Sequence, residues 1–304
     1  MLPRLPDAVV IRDVGPRDGL QPEAPVDPAD RVRLIEALVT AGLRRIEAAA
    51  FVSPTAVPAM AGAADVFAKV PHRPDLRYAA LVPNVRGAEL ALDAGVDELT
   101  VTISISEAYN HRNVRMSVDD SVHQIEQICR VAEGVPVDAV VSCSFGSPYE
   151  GEVPASQVAA LSGRLLDAGC AAITCADTTG MATPRGIAEV VAAVGPDIGL
   201  HLHETRGTAL VCAYAAMQLG VTRFDTSVGG LGGSPFAAGA AGNLATEGLV
   251  AMLDDLGVHT GIDVEALISA AALAGELVGR QLPSPVAAAG PRTRLAGDGP
   301  AGGR

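Results

Sequence analysis

Two histidines, His201 and His203, stand two residues apart in the stretch "LHLHETRG". Residues i and i+2 of a β-strand point to the same face, so a strand here aims both imidazoles into one site. Two imidazoles converging on one point suit a metal ion, whereas a lone histidine there is more often a hydrogen-bonded core residue. Near the N-terminus, "VGPRDGLQ" turns the chain at Gly15 and Pro16 and presents Arg17 and Asp18. Near the C-terminus, the glycine-rich "VGGLGGSPFAAGAAGN" closes on Asn243. Asp18, His201, His203 and Asn243 would together offer two nitrogens, two oxygens and no thiolate. That set fits Mg²⁺, Mn²⁺ or another borderline divalent ion, with waters completing an octahedron, rather than structural zinc. Two histidines and a carboxylate also describe a non-haem iron oxygenase triad, a reading that leaves Arg17 and the last loop without a role. Glu47, an acid in an alanine-rich apolar run, and Asp177, in "CADTTG", are the other acids to weigh; for Glu47 the plain alternative is a charge paired with a nearby arginine.

These residues need a frame that brings distant segments together. Short β-type runs alternate with longer helical segments, the pattern of a parallel sheet covered by helices. The sequence predicts strands near Val9–Asp13, Arg44–Ala49, Arg77–Val82, Glu98–Ser104, Val137–Ser142, Ala172–Ala176, Ile198–His203 and Arg223–Ser227. Eight strand–helix units predict a closed TIM-type (β/α)8 barrel of the α/β class, whose active site lies where strands end and the following loops begin. Gly42, Gly95, Gly169 and Gly220 each precede a strand and suit the left-handed position that ends a helix. An open doubly wound sheet is the alternative, but its G-x-G-x-x-G fingerprint is missing after the first strand. Residues 1–282 are expected to form one catalytic barrel with an added C-terminal helix. That helix, around Leu267 to Val278, would cap the barrel or mediate dimer contacts. Residues 283–304, rich in Pro, Gly and Ala without apolar periodicity, are expected to be a disordered tail.

Composition narrows the classes further. The 304 residues are 49% hydrophobic, enough for a large core, and carry a net charge of −13. With no basic run interleaved with aromatics, a nucleic-acid groove is not expected. No apolar run approaches the roughly 18 to 20 residues that span a bilayer, and Met1 to Asp7 has no leader pattern, so a cytoplasmic protein is expected. Five cysteines without a C-x-x-C pair suggest free thiols. In so acidic a chain an anionic substrate must be met by particular arginines.

The segments "VGPRDGLQ", "IEAAAFVSP", "VPNVRG", "SCSFGSPYEG", "DTTGMATP" and "GLGGSPFAAGAAGNLATEGLVAMLDDLGVHTGID" resemble, in order, the motifs of the 3-hydroxy-3-methylglutaryl-CoA lyase family, from about residue 9 to residue 281. The resemblance implies retro-Claisen cleavage of 3-hydroxy-3-methylglutaryl-CoA (HMG-CoA) to acetyl-CoA and acetoacetate, or cleavage of a related branched 3-hydroxyacyl-CoA. It implies Asp18, His201, His203 and Asn243 as ligands of Mg²⁺ or Mn²⁺, Arg17 as the catalytic cation, Glu47 as its support, Asp177 in the same polar site, and Asp18 or His201 as general base. A homodimer with a small-molecule acyl-CoA substrate would follow.

Three departures from the family pattern bear on substrate and rate. Ser234 stands where the family has a cysteine thought to pass a proton to the product carbanion. A thiol with pKa near 8.5 is a competent acid at neutral pH and a hydroxyl is not. Ser147 stands where a cysteine is common, and "HETRG" carries Glu204 and Arg206. For the phosphates of coenzyme A, Asn84, Arg86, Arg112 and Arg115 fall in loops after the third and fourth strands, though solvated surface arginines would look the same. Gly229, Gly230, Gly232 and Gly233 would let the last loop close over the site. Two other functions remain in view: a condensing synthase of the isopropylmalate or homocitrate type, which shares the Arg-Asp and His-x-His features but adds a long C-terminal region, and a barrel that binds metal or ligand with little catalysis.

Overall fold

A computed structural model describes residues 5–233 and 242–295. Its eight strands are β1 (Val10–Asp13), β2 (Arg45–Ala50), β3 (Arg77–Leu81), β4 (Glu98–Ser104), β5 (Val137–Ser142), β6 (Ala172–Ala176), β7 (Gly199–His201) and β8 (Arg223–Thr226). Each pairs in parallel with the next, and β8 pairs with β1, so the sheet closes into the expected barrel. The helices that cover it are α1 (Pro28–Thr40), α2 (Ala63–Phe67), α3 (Val85–Asp93), α4 (Glu107–Val114), α5 (Val118–Val131), α6 (Ala155–Asp167), α7 (Pro184–Val194), α8 (Ala209–Gln218), α9 (Thr246–Leu256), α10 (Val264–Val278) and α11 (Pro285–Ala289).

Local chemistry sets the helix boundaries. Asp27 caps α1 by accepting from the Ala29 amide at 2.8 Å, with Pro28 at the first helical position. Ser117 and Asp263 cap α5 and α10 in the same way. Gly42, Gly95, Gly169 and Gly220 have φ of 110°, 80°, 103° and 92°, the left-handed conformation that lets the chain leave a helix for the next strand. Between sheet and helices lies the apolar core, including Leu34, Ile35 and Leu38 of α1 and Leu99 and Val101 of β4.

The barrel interior is more polar than the branched aliphatic filling usual in this architecture. Arg12 of β1 reaches Glu98 of β4 and Asp138 of β5, which lie across the barrel, so these bonds run through its centre.

Two expectations are corrected at the C-terminal side. The seventh strand ends at His201 rather than His203. Beyond it, His203 forms an isolated antiparallel bridge with Asn243. The expected disorder from Pro283 does not hold as far as Leu295. Ser284 is buried and caps α11 by accepting from the Ala287 amide, Arg292 pairs with Asp255 at 2.6 Å, and Arg294 pairs with Glu265. A five-residue alanine-rich helix held by a cap and ion pairs has no apolar periodicity, which is the signal its sequence lacked. The helix α10 packs against α1, α9 and α11 and buries Leu267, Ala270, Ala271 and Ala274, so it covers the barrel wall beside α1.

Candidate active site

Immediately after β1 the chain makes a single π-helical turn, Gly15–Gly19, a rare geometry that gathers at functional sites. The turn carries Arg17 and Asp18. Arg17 is buried and donates from Nε to Glu47 Oε2 at 2.5 Å and from Nη1 to Asp18 Oδ1 at 2.8 Å. Glu47, fully buried on β2, lies where the β2–β3 register slips between Glu47 and Ala49, a bulge that re-aims a strand at its functional end. Its Oε1 has no partner among the described residues.

Asp18, His201 and His203 bring one donor atom each within 4.8 Å of one another. His201 Nε2 is 3.9 Å from Asp18 Oδ2, and the two imidazole centroids are 5.1 Å apart. His203 Nδ1 lies 2.9 Å from the Asp177 carbonyl oxygen; a carbonyl only accepts, so Nδ1 carries the hydrogen and Nε2 is free to coordinate. Asn243 joins through the bridge to His203, and its Nδ2 donates to Asp18 Oδ2 at 2.8 Å and to the Leu231 carbonyl at 2.9 Å. Its Oδ1 is buried without a partner among the described residues. An unpaired buried amide oxygen costs about 1–3 kcal/mol, and a cation beside it removes that cost. Donor set and orphaned oxygen together fit a hard or borderline divalent ion. Gly232 keeps the last loop against this cluster: at φ 105°, its place would put a Cβ 2.5 Å from Asn243 Nδ2 and 3.3 Å from Asp18 Oδ2.

The charges answer to their surroundings. Burial alone would raise the Asp18 carboxyl, but the charges of Arg17, His201 and His203 outweigh it and hold its pKa at about 2. Burial and then the neighbouring His201 push His203 down to about 4, leaving the neutral ring that a ligand must be. Burial opposes the charged form of His201 too, but the bond to Asp225 and the charge of Asp18 reverse the balance and raise it. Asp177 is pushed up to about 6 by burial; its Oδ1 accepts from the Met181 and Ala182 amides at 2.6 and 2.9 Å, and its Oδ2 has no partner among the described residues.

The residues expected to meet coenzyme A do not join this cluster. Asn84 caps α3 by accepting from the Gly87 amide at 2.9 Å. Arg86 is largely exposed and pairs with Glu89 at 3.1 Å. Arg112 lies 4.5 Å over the Tyr149 ring, and Arg115 ends α4 in the left-handed conformation. Ser234 lies outside the described residues. Of the other departures, Ser147 donates to Ser106 at 3.0 Å, and Arg206 donates to the Thr179 and Gly180 carbonyls, tying the β6 and β7 loops together. Sequence reasoning missed Arg12 and Asp225, although both interrupt barrel strands with a charge, the signal that singled out Glu47.

Comparison with known proteins places the chain in a family. The model of the HMGL-like family matches residues 8–274. A 3-hydroxy-3-isohexenylglutaryl-CoA/hydroxy-methylglutaryl-CoA lyase of Pseudomonas aeruginosa is 42% identical over 88% of this chain and 91% of its own length. The crystal structure of hydroxymethylglutaryl-CoA lyase from Pseudomonas aeruginosa superposes with a TM-score of 0.90 at 42% identity, covering 94% of this chain and 98% of the other. An HMG-CoA lyase from A. baumannii, solved in complex with coenzyme A and 3-methylmalate, gives a TM-score of 0.90 at 39% identity, covering 95% of this chain and 97% of the other. The lyase names of these relatives speak against the condensing-synthase reading. With the family model matched over most of its length and its barrel superposed on lyase barrels, the chain belongs to the HMGL-like family and is a lyase.

Proposed function

We propose that this chain cleaves HMG-CoA, or a homologue with a longer branch at C3, into acetyl-CoA and acetoacetate or the corresponding 3-oxoacid, with Mg²⁺ or Mn²⁺ held by Asp18, His201, His203 and Asn243. The observation that carries the proposal is the convergence of Asp18, His201 and His203 within 4.8 Å beside a fixed guanidinium. The A. baumannii relative's complex supports an acyl-CoA substrate. The Pseudomonas aeruginosa relative, named for two 3-hydroxyglutaryl-CoA substrates, supports the longer branch.

In the reaction, the C3 hydroxyl loses its proton, the C2–C3 bond breaks, and its electron pair moves onto the thioester oxygen as an enolate. The C3 oxygen becomes a ketone, and the enolate carbon takes a proton to give acetyl-CoA. A divalent ion, when bound, lowers the pKa of the hydroxyl and orients the substrate's carboxylate. Between the two candidate bases, geometry favours Asp18. Both nitrogens of His201 are committed, Nδ1 toward Asp225 and Nε2 toward the ligand cluster, whereas Asp18 can turn Oδ2 to the cluster while Oδ1, which accepts one bond from Arg17, keeps a second lone pair to accept the proton. Arg17 stays protonated at any relevant pH. Its Nε and Nη1 are held by Glu47 and Asp18, which orients the rest of the fork toward the enolate oxygen, where a fixed donor in a water-poor site is worth several kcal/mol. Asp177 Oδ2 and Glu47 Oε1 remain as buried acceptors for substrate hydroxyl or water.

Incubation of the purified chain with HMG-CoA and Mg²⁺ tests the proposal. Acetyl-CoA and acetoacetate in equal amounts are expected, and release of either product alone, or of none from both HMG-CoA and 3-hydroxy-3-isohexenylglutaryl-CoA, would overturn it.

A further inference from the structure

Strand β8 supplies a buried carboxylate, Asp225, that none of the family motifs above accounts for. Its Oδ2 lies 3.3 Å from His201 Nδ1. The other side of the carboxylate is gripped by Arg12, which donates from Nε to Oδ1 at 2.8 Å and from Nη2 to Oδ2 at 2.9 Å. Arg12 is braced in turn: Nη1 donates to Glu98 at 2.6 Å and Nη2 to Asp138 at 2.7 Å, and Asp138 accepts from Thr174 Oγ1 at 2.9 Å. A continuous chain of buried charge therefore runs down the barrel interior from His201 to the starts of β4 and β5.

A carboxylate that receives two guanidinium bonds can only accept from His201 as well. The imidazole hydrogen is thereby placed on Nδ1, leaving the lone pair on Nε2, the nitrogen that faces Asp18. His203 reaches the same state by different means, through the Asp177 carbonyl. Two histidines on one strand end thus hold the same tautomer through two unrelated acceptors, one a main-chain oxygen and the other a side chain that a substitution can remove.

We propose that Asp225 is a positioning residue that fixes His201 as the Nδ1–H tautomer with Nε2 turned to the metal, and that Arg12 holds Asp225 in that pose. The inference rests on the metal reading of the site. Partners that orient a metal-binding histidine typically contribute roughly 10–100-fold in metal affinity. The variant Asp225→Ala removes the acceptor but leaves Arg12 with Glu98 and Asp138, so the guanidinium is not stranded.

Two measurements test this. Long-range ¹⁵N NMR of the metal-free native chain, at alkaline pH where the rings are neutral, should report His201 and His203 both protonated at Nδ1. In Asp225→Ala, His201 should become a mixture of tautomers while His203 is unchanged, and Mn²⁺ binding by calorimetry should weaken roughly 10–100-fold. A native His201 protonated at Nε2, or an Asp225→Ala chain that is folded and binds Mn²⁺ as tightly as the native chain, overturns the proposal. Failure of the native chain to bind Mn²⁺ overturns instead the metal reading beneath it, and the NMR result on the metal-free chain tells the two failures apart.

Discussion

Replacing Arg17 by Met should damage stability and turnover through separable causes. The Arg17 side chain is 8% exposed and its partner Glu47 is 1% exposed, so the substitution leaves a carboxylate buried with no cation. Breaking a buried pair from one side costs about 3–5 kcal/mol. Removing one preorganised donor from a developing oxyanion costs about 10²–10³ in kcat. The second variant, Glu47→Gln, separates the two effects. Combined with Arg17→Met it abolishes the stranded charge, and the double variant should recover most of the lost stability and none of the lost turnover. The chain has no tryptophan, so unfolding in urea is best followed by circular dichroism, with acetoacetate release measured in parallel. Recovery of turnover in the double variant would refute the role of Arg17 as the cation at the enolate oxygen. Full stability in Arg17→Met alone would refute the account of Glu47 as a buried charge neutralised by Arg17.

Other outcomes follow from the same geometry. Gly232→Ala forces a side chain against Asn243 and Asp18 at φ 105° and should cost about 1–3 kcal/mol and abolish tight Mn²⁺ binding; unchanged calorimetry would contradict the close approach of the last loop. Burial raises the Asp13 carboxyl to about 7, above its ordinary 3.8, so the folded state favours the protonated form. Its contribution is fully present below the ordinary value and is lost as pH rises through about 7. The urea midpoint should therefore fall between about pH 4 and about pH 7, and Asp13→Asn should flatten that fall; an identical slope in the variant would assign it to other groups. If proton delivery to the enolate limits turnover, replacing the Ser234 hydroxyl by a thiol in Ser234→Cys should raise kcat without changing KM, and a change confined to KM would point to substrate contact instead.

Much of the fold was legible because the barrel repeats an apolar run followed by a helix eight times, and Gly42, Gly95, Gly169 and Gly220 each end a helix before the next strand. Strand-interior periodicity placed His201 and His203 on one face, and the convergence of Asp18 and Asn243 on them followed from the rule that barrel loops share one end. What the sequence concealed depends on contacts across the barrel. Arg12 and Asp225 are adjacent only because β8 pairs with β1, and no local pattern announces a pairing between residues 213 positions apart. The bridge of His203 to Asn243 has the same origin. The ordered segment up to Leu295 escaped because a cap at Ser284 and ion pairs from Arg292 and Arg294 hold it, not an apolar stripe. Glu247, an acid at the start of α9 that no local pattern marks as buried, is fully buried and accepts from the Gly229 amide at 3.1 Å.

The most direct test of the central claim is the rate of acetoacetate release from HMG-CoA by the native chain and by His203→Ala, each stripped with EDTA and then titrated with Mn²⁺. The account predicts no release from the stripped native chain, recovery with added Mn²⁺, and no recovery in a His203→Ala chain whose circular dichroism is native. Undiminished release after stripping, or equal recovery in His203→Ala, would contradict it.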